Sequence, residues 1–364
     1  MTTELNFSHI PNPAPLPVAQ REALLENPGF GTSFTDHMAV IEYTQGVGWH
    51  NARIQAREAL SLDPAAAVLH YAQEIFEGLK AYRFPDGEIV MFRPTANAKR
   101  FQESADRLAM PLLPPELFVQ SIEQLIRADK SWVPTDPNKS LYLRPFMFAN
   151  EAFLGVRPAK TFMYIVIACP VGGYFKGGAE AVSVWVSERY TRAATGGTGA
   201  AKCGGNYAAS LLAQSEASAQ GCDQVAFLDA AEHCWLEEMG GMNMFFVFDD
   251  GSLLTPPLGG TILPGITRDS LITLARDAGM TVREERYSFK QWREDAASGR
   301  LREAFACGTA AVVTPIGKIK FSGGEILIGD GAHAGTTTKM LKDSLVKIQR
   351  GENNDPYGWV HRVA

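Results

Sequence analysis

Lys202 stands in an unusual setting, the run G-G-T-G-A-A-K-C-G-G-N-Y that begins at Gly196 and ends at Tyr207. Small residues on both sides let a substrate come close to the amine, and glycine admits backbone conformations that other residues resist. An amine so placed can form a Schiff base with a carbonyl when its surroundings lower its pKa. The same residues also suit a solvated lysine on a flexible loop. A nucleotide-binding G-x-x-x-x-G-K-S/T loop fits worse, because Ala201 stands where its last glycine belongs and Cys203 where its hydroxyl belongs.

Four further places could serve a ligand. Leu263-Pro264-Gly265-Ile266-Thr267 precedes a helical pattern. The first N–H groups of a helix suit a phosphate, and an ordinary helix start capped by Thr267 is the plainer reading. Gly308-Thr309-Ala310 is a small-residue turn between strands. Glu237 and Glu238 lie between Cys234-Trp235-Leu236 and Met239-Gly240-Gly241-Met242. A carboxylate in that apolar run needs a partner, either a protonated pyridine nitrogen or an Arg or Lys from elsewhere. Arg100 in the first turn of its helix could bind phosphate or form a surface salt bridge.

These residues require a scaffold, and its elements are partly readable. Apolar, β-branched and aromatic runs predict strands at 38–43, 88–92, 140–148 and 161–171. Asn97 is expected to cap a helix carrying Phe101, Ala105 and Leu108 on one face, and 115–129 predicts a second helix. The glycine-rich segment 171–180 reads as a linker. Beyond it come a strand at 182–187, the lysine loop, and a helix with Ala208, Leu211, Leu212 and Ser215 on one face. Strands at 224–229 and 234–238 follow, then a hairpin over 242–254 that turns at Asp250-Gly251. A helix carries Leu271, Leu274, Ala275 and Ala278. A strand pair at 311–321 and 325–328 precedes a helix at 337–349. The irregular mixture predicts α+β domains and not a doubly wound sheet. The first thirty residues, rich in proline and polar groups, are expected to wrap over the surface.

Length and charge narrow the function. A chain of 364 residues suits two domains, placed at 1–174 and 182–364 with 175–181 between them. The apolar share of 46% and charged share of 20% are those of a soluble globular protein. A formal charge of −6 without a basic run argues against nucleic-acid or acidic-membrane partners. Cys169, Cys203, Cys222, Cys234 and Cys307 form no C-x-x-C pair, and the seven histidines show no metal-ligand spacing. Neither a disulfide framework nor a metal site is expected, and a reducing cytoplasm is the expected location. No signal peptide or membrane span is read, since the most apolar stretch, 162–169, ends at Pro170.

Taken together, seven motifs resemble the branched-chain aminotransferases among the fold-type IV pyridoxal phosphate enzymes. They are F-G-T-S-F-T-D-H-M from Phe30, L-H-Y-A-Q-E-I-F-E-G-L-K from Leu69, L-Y-L-R-P from Leu141, the Lys202 run, E-E-M-G-G-M-N-M-F-F from Glu237, L-P-G-I-T-R from Leu263 and C-G-T-A from Cys307. The resemblance spans nearly the whole chain. It implies a smaller N-terminal α/β domain and a larger C-terminal domain with a pseudo-barrel of strands. It also implies transfer of an amino group between leucine, isoleucine or valine and 2-oxoglutarate, yielding glutamate, in a ping-pong cycle.

The resemblance assigns residues as well. Lys202 matches the Schiff-base lysine, Tyr207 the partner of the cofactor's phenolic oxygen, and Glu238 the partner of its pyridine nitrogen. Arg100, Thr309 and the N–H groups of Ile266 and Thr267 match the phosphate cup. Phe30, Tyr71, Phe76, Tyr142, Arg144, Val156 and Tyr174 match the substrate pocket, with Tyr71 and Val156 expected from the partner subunit of a homodimer. Thr309 and Ala310 are expected at the α-carboxylate, and Arg144 at the distal carboxylate of 2-oxoglutarate or glutamate. Mammalian members carry a C-x-x-C pair where this chain has Ala311 and Thr314, so no thiol switch is expected there.

Overall fold

The computed structural model describes residues 5–172 and 181–363. Tyr174 and the predicted linker, apart from Ala181, lie outside the described residues. The chain forms two compact units. One comprises Met1–Tyr174, Ala201–Gly204 and Ile348–Ala364, and the other Phe175–Ala200 and Gly205–Lys347. The lysine-bearing segment is therefore packed with the first unit.

The first unit is built on a nine-stranded sheet. Its centre is the antiparallel pair Ser140–Ala149 and Thr161–Val171, in register from Ser140 opposite Val171 to Ala149 opposite Phe162. Both are long and apolar, as strands buried in mid-sheet must be. Helices Pro94–Arg107 and Pro115–Ala128 contribute Phe101, Phe118, Ile122 and Leu125 to the core, all fully buried. Phe101 lies 5.4 Å from Phe118 and 5.6 Å from Tyr164 between ring centroids. Burying side chains of this size stabilises by about 1.5–3 kcal/mol each.

Asn97 does not cap the first of these helices. The helix begins at Pro94, whose fixed φ suits a first helical position, and Asn97 is buried inside it. The strands at the sheet's margins carry weaker patterns. Gly48–Ala56, whose sequence is GWHNARIQA, pairs with His37–Thr44, and Val360–Arg362 pairs with Ile89–Phe92. The helix Val18–Glu26 buries no residue, in keeping with a surface segment.

In the second unit six strands close on themselves. Val182–Ser187, Gln224–Leu228, Leu236–Met239, Met242–Phe248, Leu301–Gly308 and Val312–Phe321 pair in a ring, because Leu236–Met239 bonds both of its neighbours in sequence. This is the pseudo-barrel expected of a fold-type IV α+β architecture. The predicted hairpin turns at Gly251, where φ is +78°.

The predicted helix with Ala208, Leu211, Leu212 and Ser215 on one face, expected to end at Gly221, is corrected in two ways. It is split into Gly204–Ala208 and Leu211–Ala219, and its buried face carries Ala213 and Ala217 while Leu211 and Leu212 are exposed. Small alanines let the helix approach Val225 and Phe227 closely, and that packing decides its rotation. The helix Phe289–Ser298, not anticipated, opens with a capping box between Ser288 and Gln291.

Candidate active site

In the first unit, Lys202 is held by its backbone. Its N–H donates to Ser104 Oγ at 2.9 Å, and its carbonyl accepts from the N–H of Phe76 at 2.9 Å. The N–H of Gly204 donates to the Glu74 carboxylate. Lys202 Nζ lies 4.9 Å from the centroid of the Phe76 ring. These ties hold the backbone of the Lys202 segment in place, so it is not a flexible loop.

Arg100 is no surface residue. Its Nε and Nη2 donate to the two carboxylate oxygens of Glu77 at 2.7 and 2.8 Å, and Asn97 Nδ2 donates to Glu77 Oε2 at 2.7 Å. Glu77 is fully buried. Burial works to raise its pKa, but the Arg100 guanidinium and Lys202 outweigh that and hold the carboxyl below its usual value. A bidentate pair of this kind fixes the plane of the guanidinium.

Phe30, Phe76, Tyr142 and Arg144 gather in the same unit. Phe30 and Tyr142 are 5.4 Å apart between centroids, Arg144 Nη2 donates to Tyr142 Oη at 3.0 Å, and the Arg144 guanidinium lies 4.7 Å from the Phe76 ring. Gly78 is required beside them, because a Cβ there would stand 2.1 Å from Tyr142 Oη. Tyr71 and Val156 are exposed, alongside exposed Leu69 and Leu154. Tyr71 Oη donates to the Leu154 carbonyl.

In the second unit, strand register brings Glu238, Asn243 and Cys307 into one row. The turn that carries Thr309 and Ala310 directly follows the strand ending at Gly308. Tyr207 meets Gly241 so closely that a Cβ there would lie 3.5 Å from its hydroxyl. The helix Ile266–Asp277 starts without a side-chain cap, so Thr267 does not serve as one. Ile266 and Thr267 occupy its first turn, where a helix has no carbonyl of its own for the N–H groups. Asn243 Nδ2 donates to the Leu263 carbonyl at 3.1 Å, and its Oδ1 packs where a Cβ on Gly265 would be.

The two adjacent carboxylates are treated differently. Glu238 pairs with Arg192 Nη1 at 2.6 Å and accepts the Leu263 N–H at 3.1 Å. Glu237 accepts the Thr261 hydroxyl at 2.5 Å, while its Oε2 is buried with no partner among the described residues, and burial raises its pKa. Sequence reasoning missed Glu77, Arg192, Ser104 and Thr261 as supports. The signal existed for Glu77, a carboxylate in the apolar run I-F-E-G-L that needed a partner as much as Glu238 did.

Residues 74–319 match the family described as amino-transferase class IV. The chain belongs to that family, whose fold-type IV members depend on pyridoxal phosphate. It is 55% identical to the branched-chain-amino-acid aminotransferase of Mycolicibacterium smegmatis over 363 residues, 99% of this chain and 98% of the relative. It superposes on the Escherichia coli branched-chain amino acid aminotransferase with a TM-score of 0.74 at 31% identity, covering 90% of this chain and all of that one. The branched-chain amino acid aminotransferase of Thermobaculum terrenum, in its PLP-bound holo form, gives a TM-score of 0.71 at 26% identity, over 90% of this chain and 98% of that one. Within the first unit, the buried Arg100 guanidinium has the charge to suit a phosphate. Within the second, the Glu238 carboxylate with its Arg192 counter-ion suits a protonated pyridine nitrogen, and the start of the helix Ile266–Asp277, which has no side-chain cap, suits an anion.

Proposed function

We propose that this chain is a branched-chain aminotransferase that moves the amino group between leucine, isoleucine or valine and 2-oxoglutarate in a ping-pong cycle. The observation that carries the substrate assignment is the Arg144 guanidinium set among Phe76 and Tyr142, with Phe30 against Tyr142. Aromatic walls accept an aliphatic side chain, and the guanidinium accepts the distal carboxylate of glutamate or 2-oxoglutarate. One pocket can thereby take both partners of the exchange.

When bound, pyridoxal phosphate supplies the electron sink for the carbanion. Lys202 would hold the cofactor through Nζ, and once the incoming amino group has taken its place the freed Nζ amine would accept the proton from the substrate Cα. General-base catalysis of that kind is typically worth about 10²–10⁴-fold. Glu238 keeps the pyridine nitrogen protonated, and Tyr207 donates to the phenolic oxygen. Arg100, Thr309 and the N–H groups of Ile266 and Thr267 hold the phosphate, and the Thr309–Ala310 turn receives the α-carboxylate.

A homodimer fits the exposed Tyr71 and Val156, since both apolar side chains would then be covered and could serve the partner's substrate pocket. Tyr174 is assigned to that pocket by resemblance alone. The small domain is taken as 1–174, the linker as 175–181 and the cofactor-binding domain as 182–364. Five free thiols suit a reducing cytoplasm.

The test follows the absorbance of the yellow holoenzyme during separate additions of L-leucine and D-alanine. Bleaching by L-leucine, reversed by 2-oxoglutarate, is expected. Bleaching by D-alanine alone would move the chain to a D-specific aminotransferase. Replacing Lys202 by Ala is expected to abolish turnover, and full turnover in that variant would overturn the lysine assignment.

A further inference from the structure

Two arginines lie close together in the run S-E-R-Y-T-R-A-A, and they differ in setting. Arg189 sits 5.0 Å from the Tyr190 ring, as surface arginines commonly do, and is exposed. Arg192 is buried, with only 6% of its surface accessible. Its Nη1 stands 2.6 Å from Glu238 Oε2 and 2.9 Å from the Thr261 carbonyl, and its Nη2 lies 3.4 Å from the Gly199 carbonyl. Gly199 makes this possible: any Cβ there would fall 2.4 Å from the Thr261 carbonyl oxygen, so only glycine lets the two backbones approach.

A guanidinium gripped by two carbonyls and one carboxylate has little freedom left. It presents a fixed positive charge to Glu238, whose side chain is only 1% accessible. The neighbouring Glu237 shows what happens otherwise. It alternates to the other side of the same strand, receives a hydroxyl in place of a guanidinium, and is pushed by burial towards the neutral acid. A neutral acid beside a pyridine nitrogen would offer it no anion.

We propose that Arg192 is a positioning residue for the transamination, holding Glu238 ionised and oriented so that Glu238 keeps a proton on the cofactor's pyridine nitrogen. The proposal rests on the reading in which Glu238 faces that nitrogen, and the test separates the two. The holoenzyme is loaded with pyridoxal phosphate labelled with ¹⁵N in the ring, and the nitrogen resonance is recorded for the parent chain, Glu238→Gln, Arg192→Gln and Arg192→Lys.

Arg192→Gln keeps donors for the two carbonyls and loses the charge, so the resonance is expected to move towards the deprotonated position, in the direction taken by Glu238→Gln. Arg192→Lys keeps the charge and is expected to restore the protonated position. A parent-like resonance in Arg192→Gln, with Glu238→Gln displaced, overturns the proposal and leaves Arg192 as a loop staple. A parent-like resonance in Glu238→Gln overturns the underlying assignment instead. Should Arg192→Gln fail to fold or to take up cofactor, Arg192→Met, uncharged and of similar length, takes its place: loss of the ring proton upholds the proposal, and a parent-like resonance overturns it.

Discussion

The first unit buries the pair Glu77–Arg100, and the second buries Glu238–Arg192. Both are charge-assisted contacts of 2.6 to 2.8 Å between side chains almost removed from water. They differ in which member is assigned to the ligand. In the first unit the arginine is assigned to the ligand, and the glutamate, fully buried, sets its plane. In the second the glutamate is assigned to the ligand, and the arginine is anchored by carbonyls behind it. An anionic phosphate and a cationic ring nitrogen ask for opposite charges, and under these assignments each pair would offer one charge and keep its counter-charge buried beside it. A buried charge without such a partner would neutralise itself, as Glu237 tends to do.

The contrast can be broken at several points. The largest effect is expected from Glu77→Leu, which strands Arg100 in the core. Removing one member of a buried pair costs about 3–5 kcal/mol. Urea unfolding without added pyridoxal phosphate reads this directly, and the double variant Glu77→Leu/Arg100→Leu is expected to recover most of the loss. Failure of the double variant to recover would mean that Glu77 has a role besides serving Arg100.

Next comes Glu238→Gln, which removes the anion from the ring nitrogen. Loss of one such preorganised group is worth on the order of 10²–10³ in turnover. Glu237→Gln, one residue away and already inclined to neutrality, is expected to change turnover far less. Equal losses would show that the wrong carboxylate has been assigned. A smaller effect is expected on affinity from Glu77→Leu/Arg100→Leu, which removes the guanidinium without stranding Glu77 in the core. Hydrogen bonds to charged groups are worth about 1.5–3 kcal/mol, so cofactor binding should weaken roughly ten- to a hundredfold. Pyridoxal, which lacks the phosphate, should be bound almost unchanged; an equal loss for both ligands would refute the phosphate role. The smallest effect belongs to Thr261→Val, which deletes the hydroxyl bonded to Glu237 and should cost about 1 kcal/mol of stability in thermal unfolding.

Much of this is legible in the sequence wherever local pattern decides structure. The central strands Ser140–Ala149 and Thr161–Val171 are apolar enough to declare themselves, and Asp250-Gly251 specifies its turn. Gly48–Ala56 escapes notice because an outer strand mixes His, Asn and Arg among its apolar residues, which blurs the alternation. The rotation of the Leu211–Ala219 helix is misread because leucines outrank alanines in hydrophobicity, whereas close approach to a sheet favours the smaller side chains. Candidate ligand residues are legible through their motifs. Their counter-ions are not, because Glu77 and Arg100 are 23 positions apart in the chain, and no periodicity records a pairing of that range. In sequence Arg192 looks like any arginine in a polar loop, and only the fold buries it.

The strand Val360–Arg362 completes a sheet whose other members all precede residue 172, and the lysine segment of that unit arrives only at Ala201–Gly204. The six closed strands of the second unit, by contrast, are all present once residue 321 has been made. A chain emerging from the ribosome usually folds its N-terminal domain first. Here the order of completion is reversed: the later-coded barrel can close while the earlier-coded sheet still waits for its last edge. Released chains truncated near residue 350 should therefore protect the barrel from protease and leave the Ile89–Phe92 edge open to attack.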